Sequence, residues 1–160
     1  MKNEITMFGR VKRYLGIEGV KVEVEVPEKV RISQGQIEGK VRFLSMNEQS
    51  VTSVKVKLFE RYSRGRGEEK KIDEYTLGEI EMQTNLQVTP DEAVEIEFIL
   101  PFSVVRSEVD DFAAKNLLFK GIAKAAKKIY AAQSDYYLLA EAKVKGTALP
   151  PFCREKINLL

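Results

Sequence analysis

The sequence predicts a mainly β protein, an antiparallel β-sandwich with one long amphipathic helix inserted near the C-terminal end and a short N-terminal helix. Three observations carry that expectation. Apolar and polar residues alternate through most of the chain, the period of half-buried strands. Gly and Pro punctuate the alternating stretches at short intervals. One stretch, "FAAKNLLFKGIAKAAKKIYAA" at residues 112–132, switches to a helical period. With 160 residues, 44% apolar and 31% charged, the chain suits a single domain over 1–160.

Residues 1–16 open with Phe8, Val11 and Leu15 at helical spacing and Arg10, Lys12 and Arg13 among them, which predicts a short basic helix. Its apolar stripe suits either packing on the sandwich or anchoring. "GVKVEVEVP" then sets Val20, Val22, Val24 and Val26 on one face, a strand ended by Pro27. "QIEGKVRF" repeats the pattern with Ile37, Val41 and Phe43 inward and Gly39 at an inward position, the mark of a bulge or close packing.

"VTSVKVKLFERY" places Val54, Val56 and Leu58 inward. The charged "SRGRGEEKK" is a hairpin loop, "EYTLGEIEM" returns from it, and "TNLQVTP" is a separate short strand. "AVEIEFILP" turns Val94, Ile96, Phe98 and Leu100 inward. "DYYLLAEAKVKG" turns Leu138, Ala140, Ala142 and Val144 inward, and "KINLL" completes seven or eight strands.

Between the last two long strands, Ser107 and Asp110 start an insertion over 107–133 whose helix runs from Val109 to Ala132. At the usual rise it is about 36 Å long. Phe112, Leu118, Phe119, Ile122 and Ile129 share one arc, with Lys120, Lys124, Lys127 and Lys128 almost opposite. Three roles fit such a helix: a cover for the sandwich, a partner surface, or an element lying on an anionic membrane.

Net charge is only +2, but it is unevenly laid out. Between Ile72 and Val105 stand eight acidic residues and no Lys or Arg. That pattern fits either complementarity within the molecule or separate charged faces for partners. The sole cysteine, Cys153, rules out an internal disulfide and reads as a structural thiol in a reducing compartment. Neither a bilayer-length apolar run nor a secretory h-region occurs, so the expected location is the cytoplasm.

Catalytic chemistry has little to rest on. Without histidine, Ser-His and Cys-His nucleophile systems and His-containing metal sites are absent. "GQIEGKV" at 35–41 is one spacer short of a phosphate loop and lies in a strand pattern. "RGRG" at 64–67 opens no helix, and residues 60–75 around it carry five basic and five acidic groups, too balanced to attract nucleic acid. No enzyme, no cofactor and no metal is expected.

The stretch from Met7 to Phe43, with Phe8, Val11, Leu15, Gly16, Ile17, Gly19, Val22, Gly35, Gly39, Val41 and Phe43, resembles the opening of the bacterial sporulation-control proteins of the arrestin-like group. "VEIEFILP" and "YYLLAEAKVKGTALPPF" resemble later strands of the same group. The resemblance implies an arrestin-like, immunoglobulin-type sandwich serving as a non-enzymatic scaffold or adaptor. It also implies two sandwiches in tandem, where this chain has room for one. The expected partner is another protein, with a homo-oligomer or an anionic membrane as alternatives. Contact is expected through exposed strand edges and the basic residues Lys120, Lys124, Lys127, Lys128, Arg10, Lys12 and Arg13.

Overall fold

In the described strands, apolar residues that recur every second position turn one face into the core between two sheets. The computed structural model describes residues 19–104 and 132–160. They form eight strands: β1 (Val20–Glu25), β2 (Lys29–Val30), β3 (Gln36–Ser45), β4 (Gln49–Arg64), β5 (Lys71–Val88), β6 (Val94–Pro101), β7 (Gln133–Val144) and β8 (Phe152–Leu159). A three-stranded sheet has the order β1-β3-β6 and a five-stranded sheet the order β2-β8-β7-β4-β5. All pairs are antiparallel except β2 with β8, which run parallel through Lys29–Asn158 and Val30–Leu159.

The inward sets named from the sequence meet in one core. Val22, Val41 and Phe43 come from the smaller sheet, and Val54, Val56, Leu58, Leu138, Ala140 and Ile157 from the larger. Full burial of a side chain such as Phe43 or Leu58 contributes about 1.5–3 kcal/mol each. Gly39 sits inward as expected, and close packing is the reason: a Cβ there would stand 2.6 Å from Val26 Cγ1 and 2.8 Å from Phe98 Cζ.

The fold class needs one correction. The described residues are mainly β in two sheets, and their only helical elements are two 3-10 turns, Ile32–Gln34 and Gly67–Glu69. Among the described residues no long helix occurs, and most of its expected span, 107–133, lies outside them, as does the short N-terminal helix over 1–16. At the one end where that span enters the described chain it is overturned. Ala132 is not helical, and Gln133 already opens β7 opposite Ser63. The physical reason is the length of β4, whose residues out to Ser63 offer hydrogen-bonding partners that extend β7 toward its start.

The hairpin loop is also shorter than expected, because β4 continues to Arg64 and β5 begins at Lys71. The two segments "EYTLGEIEM" and "TNLQVTP" are one continuous strand, β5, of 18 residues.

Candidate functional site

The basic residues expected to make contacts, Lys120, Lys124, Lys127, Lys128, Arg10, Lys12 and Arg13, all lie outside the described residues. The exposed strand edges expected beside them are described, and one of them dominates.

β5 closes one side of the five-stranded sheet, pairing with β4 along one edge only. At about 3.3 Å per residue its 18 residues run roughly 60 Å. Among the described residues no strand pairs with its outer edge. The β4–β5 ladder shifts register twice, between Val51 and Ser53 and between Leu58 and Phe59. Near the second shift the chain after β6 touches β5: Ser103 N–H donates to the Leu77 carbonyl at 3.1 Å, and Phe102 N–H donates to Gly35 at 2.9 Å. Gly78 makes that approach possible, because a Cβ there would collide with the Pro101 carbonyl oxygen.

Beyond this clamp, residues 79–88 alternate regularly. Glu79, Glu81, Gln83, Asn85 and Gln87 are exposed on the outer face. Ile80, Met82 and Leu86 are half-buried against the core at the rim between the two sheets. Sheet edges are ordinarily blunted by Lys, Pro, bulges or short length. This strand has the register shifts, but after Lys71 it contains no Lys, Arg or Pro.

Part of the acidic excess seen in the sequence is neutralised within the molecule. Lys55 Nζ lies 3.2 Å from Glu79, Arg64 Nη2 3.4 Å from Asp73, Arg42 Nε 3.7 Å from Glu95 and Lys40 Nζ 4.0 Å from Glu97. These pairs are solvent-exposed and contribute little to stability. Glu81 accepts a 3.3 Å hydrogen bond from its neighbour Gln83.

The outward face of the same sheet is built differently toward β8. Phe59 and Tyr137 stack at 5.7 Å, and the Arg154 guanidinium lies 4.0 Å from the Tyr137 ring centre and 5.6 Å from that of Phe59. Lys57 lies 5.7 Å from Phe59 on the same face. This cationic cover leaves an outward-facing phenylalanine only 6% exposed. Alongside, Lys156 Nζ sits 2.7 Å from Asp135 Oδ1. The bond holds the Asp135 carboxyl below its ordinary value and raises Lys156 above its own. Burial pushes the Cys153 thiol up, which keeps it protonated and a poor nucleophile.

A shallow open groove of about 660 Å³ lies where β1 leaves β3, lined by Glu25, Val26, Glu38, Lys40, Glu97 and Ile99 among others. Among the described residues no group of three or more His, Cys, Asp or Glu converges as a metal site, and no helix is long and apolar enough to cross a membrane. The edge residues of β5 were missed by sequence reasoning, although the absence of Lys, Arg and Pro after Lys71 was a readable signal.

No curated protein sequence matches the chain. Among solved structures, it is similar to Spo0M, sporulation control protein, from Bacillus subtilis, with a TM-score of 0.60 at 11% sequence identity. The match covers 89% of this chain and 50% of that one, so the chain spans half the length of the Bacillus protein. At that identity the likeness speaks to the fold, and it agrees with the arrestin-like two-sheet architecture expected from the residues between Phe8 and Phe43. The family model described as SpoOM protein matches residues 8–105, more than half of the 160 residues, and the chain therefore belongs to the Spo0M family.

Proposed function

We propose that this chain is a non-enzymatic regulatory protein of the cytoplasm that works by binding another protein through the free edge of β5. The Bacillus relative is named as a sporulation control protein, and a control role is carried over from that name. The observation that favours binding through an edge is the strand itself: 18 residues long, paired with no strand on its outer side and touched there by one main-chain bond from Ser103 among the described residues, and without Lys, Arg or Pro after its first residue. An edge of that kind offers a row of main-chain donors and acceptors to an incoming strand, a recurring mode of protein recognition. The membrane alternative rests on the basic residues Arg10, Lys12, Arg13, Lys120, Lys124, Lys127 and Lys128, outside the described ones.

The test is affinity capture from lysate of the native host at about 0.15 M ionic strength, comparing wild type with Gln83→Lys/Asn85→Lys/Gln87→Lys. These three side chains are exposed, so the substitutions add edge-protecting charges without touching the core. Wild type is expected to retain a discrete protein that the variant loses. A protein retained equally by both would overturn the assignment of the edge.

A further inference from the structure

The alternation along residues 79–88 says more than that an edge is free, because the two sides of the strand ask for different chemistry. On the outer face, Glu79 and Glu81 are two acidic residues two positions apart, and residues Ile72 to Val105 supply no Lys or Arg. Lys55 lies opposite Glu81 and Lys57 opposite Glu79 in the ladder, yet the Lys55 ammonium is placed 3.2 Å from Glu79 and the Lys57 ammonium 5.7 Å from the Phe59 ring, which leaves Glu81 without an ion pair among the described residues. On the inner side, Ile80, Met82 and Leu86 present half-buried apolar surface at the rim of the core. A ninth strand laid along this edge would cover that rim with every second side chain and set the others beside the carboxylates.

Resting on the edge-binding reading above, we propose that β5 accepts an extended segment of a partner protein in which apolar residues alternate with Lys or Arg. The apolar residues pack over Ile80, Met82 and Leu86, and the cations pair with Glu79 and Glu81. Antiparallel self-pairing centred on Ile80 puts Glu79 of each copy opposite Glu81 of the other, and like charges directly opposite are destabilising. Self-pairing centred on Gln83 instead sets Glu79 opposite Gln87 and Glu81 opposite Asn85, neutral pairs that forgo the cation Glu81 lacks, and the oligomeric state in the test below decides against or for a second copy. The segment from Glu79 to Val88 is free of the Ser103 clamp at Leu77 and is long enough for a strand of ordinary length.

The test uses three capped octapeptides: alternating Lys-Val, alternating Thr-Val, and a Lys-Val sequence with two internal valines replaced by proline. Binding is read by fluorescence anisotropy and by amide hydrogen exchange of the full chain. The Lys-Val peptide is expected to bind and to slow exchange within residues 79–88, and Glu79→Gln/Glu81→Gln is expected to weaken it about fivefold, the sum of two modest cross-strand charge pairs. Equal binding of the Thr-Val peptide would overturn the cationic requirement while leaving the edge as the contact. Equal binding of the proline peptide, which carries the same charge but cannot form the ladder, would overturn strand pairing in favour of bulk electrostatics. Protection that appears outside β5 would overturn both this inference and the reading it rests on. Dimerisation of the free chain that the Gln83/Asn85/Gln87→Lys variant abolishes would assign the edge to a second copy and overturn the partner segment.

Discussion

The two edges of the five-stranded sheet are managed in opposite ways. At one edge the terminal strand is β2, two residues long, and the chain around it is tied down by a run of main-chain bonds. Asn158 N–H donates to Glu28, Leu160 N–H to Val30, and Ile32 N–H back to Leu160, all between 2.9 and 3.1 Å. At the other edge stands β5, nine times as long, touched along its outer side, among the described residues, by one main-chain bond from Ser103. The first edge spends its hydrogen bonds inside the molecule and presents little to pair with. The second keeps a long row of main-chain groups and a half-buried apolar rim in reach of a partner. Among the described residues the sheet is closed at one side and open at the other, and that is why the proposed partner is placed on the open side.

The largest expected effect attacks the one clamp on the open edge. Gly78→Val places branched carbon where the Pro101 carbonyl and Phe102 already sit, and overpacking of this kind costs about 3 kcal/mol. Denaturant unfolding should show that loss. Hydrogen exchange at Leu77 and Ser103 should rise more than exchange across β8. If the strand tolerates valine within about 0.5 kcal/mol, the chain after β6 is not pressed against β5 and the edge is more open than described.

The closed edge is expected to be the next most sensitive. Val30 is buried, and Val30→Ala removes two methyl groups from the core under β8, a cost of about 2 kcal/mol. The loss should appear with an unchanged denaturant slope, since the fold and its buried area persist. A loss as small as that of a surface substitution would mean that the main-chain bonds alone seal this side.

These two edges also show what the sequence made legible. Long strands buried on one face announced themselves: Val20, Val22 and Val24, then Val54, Val56 and Leu58, then Leu138 to Val144, all turned out as inward sets. The family was legible as a resemblance, carried by the motifs between Phe8 and Phe43 and by "VEIEFILP", and the family match over residues 8–105 bears it out. β5 was read as two strands because an edge buries its inner side only partly. Around its register shift "QTN" looks like a turn when no partner strand is in view. β2 was not readable at all, since two residues carry no periodicity and their parallel pairing with β8 is decided by tertiary contact. Which strand ends up at an edge is a property of sheet order, and local pattern does not encode it. The acidic run hinted at it, and part of that run proved to pair internally through Lys55, Arg64, Lys40 and Arg42.

A smaller effect separates binding from stability at the open edge. Gln83→Lys/Asn85→Lys/Gln87→Lys should leave the unfolding free energy within about 0.5 kcal/mol of wild type, the usual range for surface changes. The same variant should lose the captured partner. A large stability loss would mean that β5 is already covered along this stretch and that its outer edge is not free.

The smallest effect lies on the closed half, in the bridge between β7 and β8. Asp135 is held below the 3.8 of an ordinary carboxyl, chiefly by the hydrogen bond from Lys156, and Lys156 is held above 10.5 by the same bond. A carboxyl with a lowered folded value contributes stability that is fully present above 3.8 and is lost as pH falls through the lower folded value. The lysine's contribution is fully present below 10.5 and is lost as pH rises through its higher folded value. Between those limits wild type should therefore unfold slightly later than Lys156→Met. Exposure of Lys156 and screening by salt keep the gap small. The two unfolding midpoints should converge at the acidic end and again at the alkaline end. A gap that persists unchanged into acid, where Asp135 is protonated, would show that the charge pair with Asp135 is not its source.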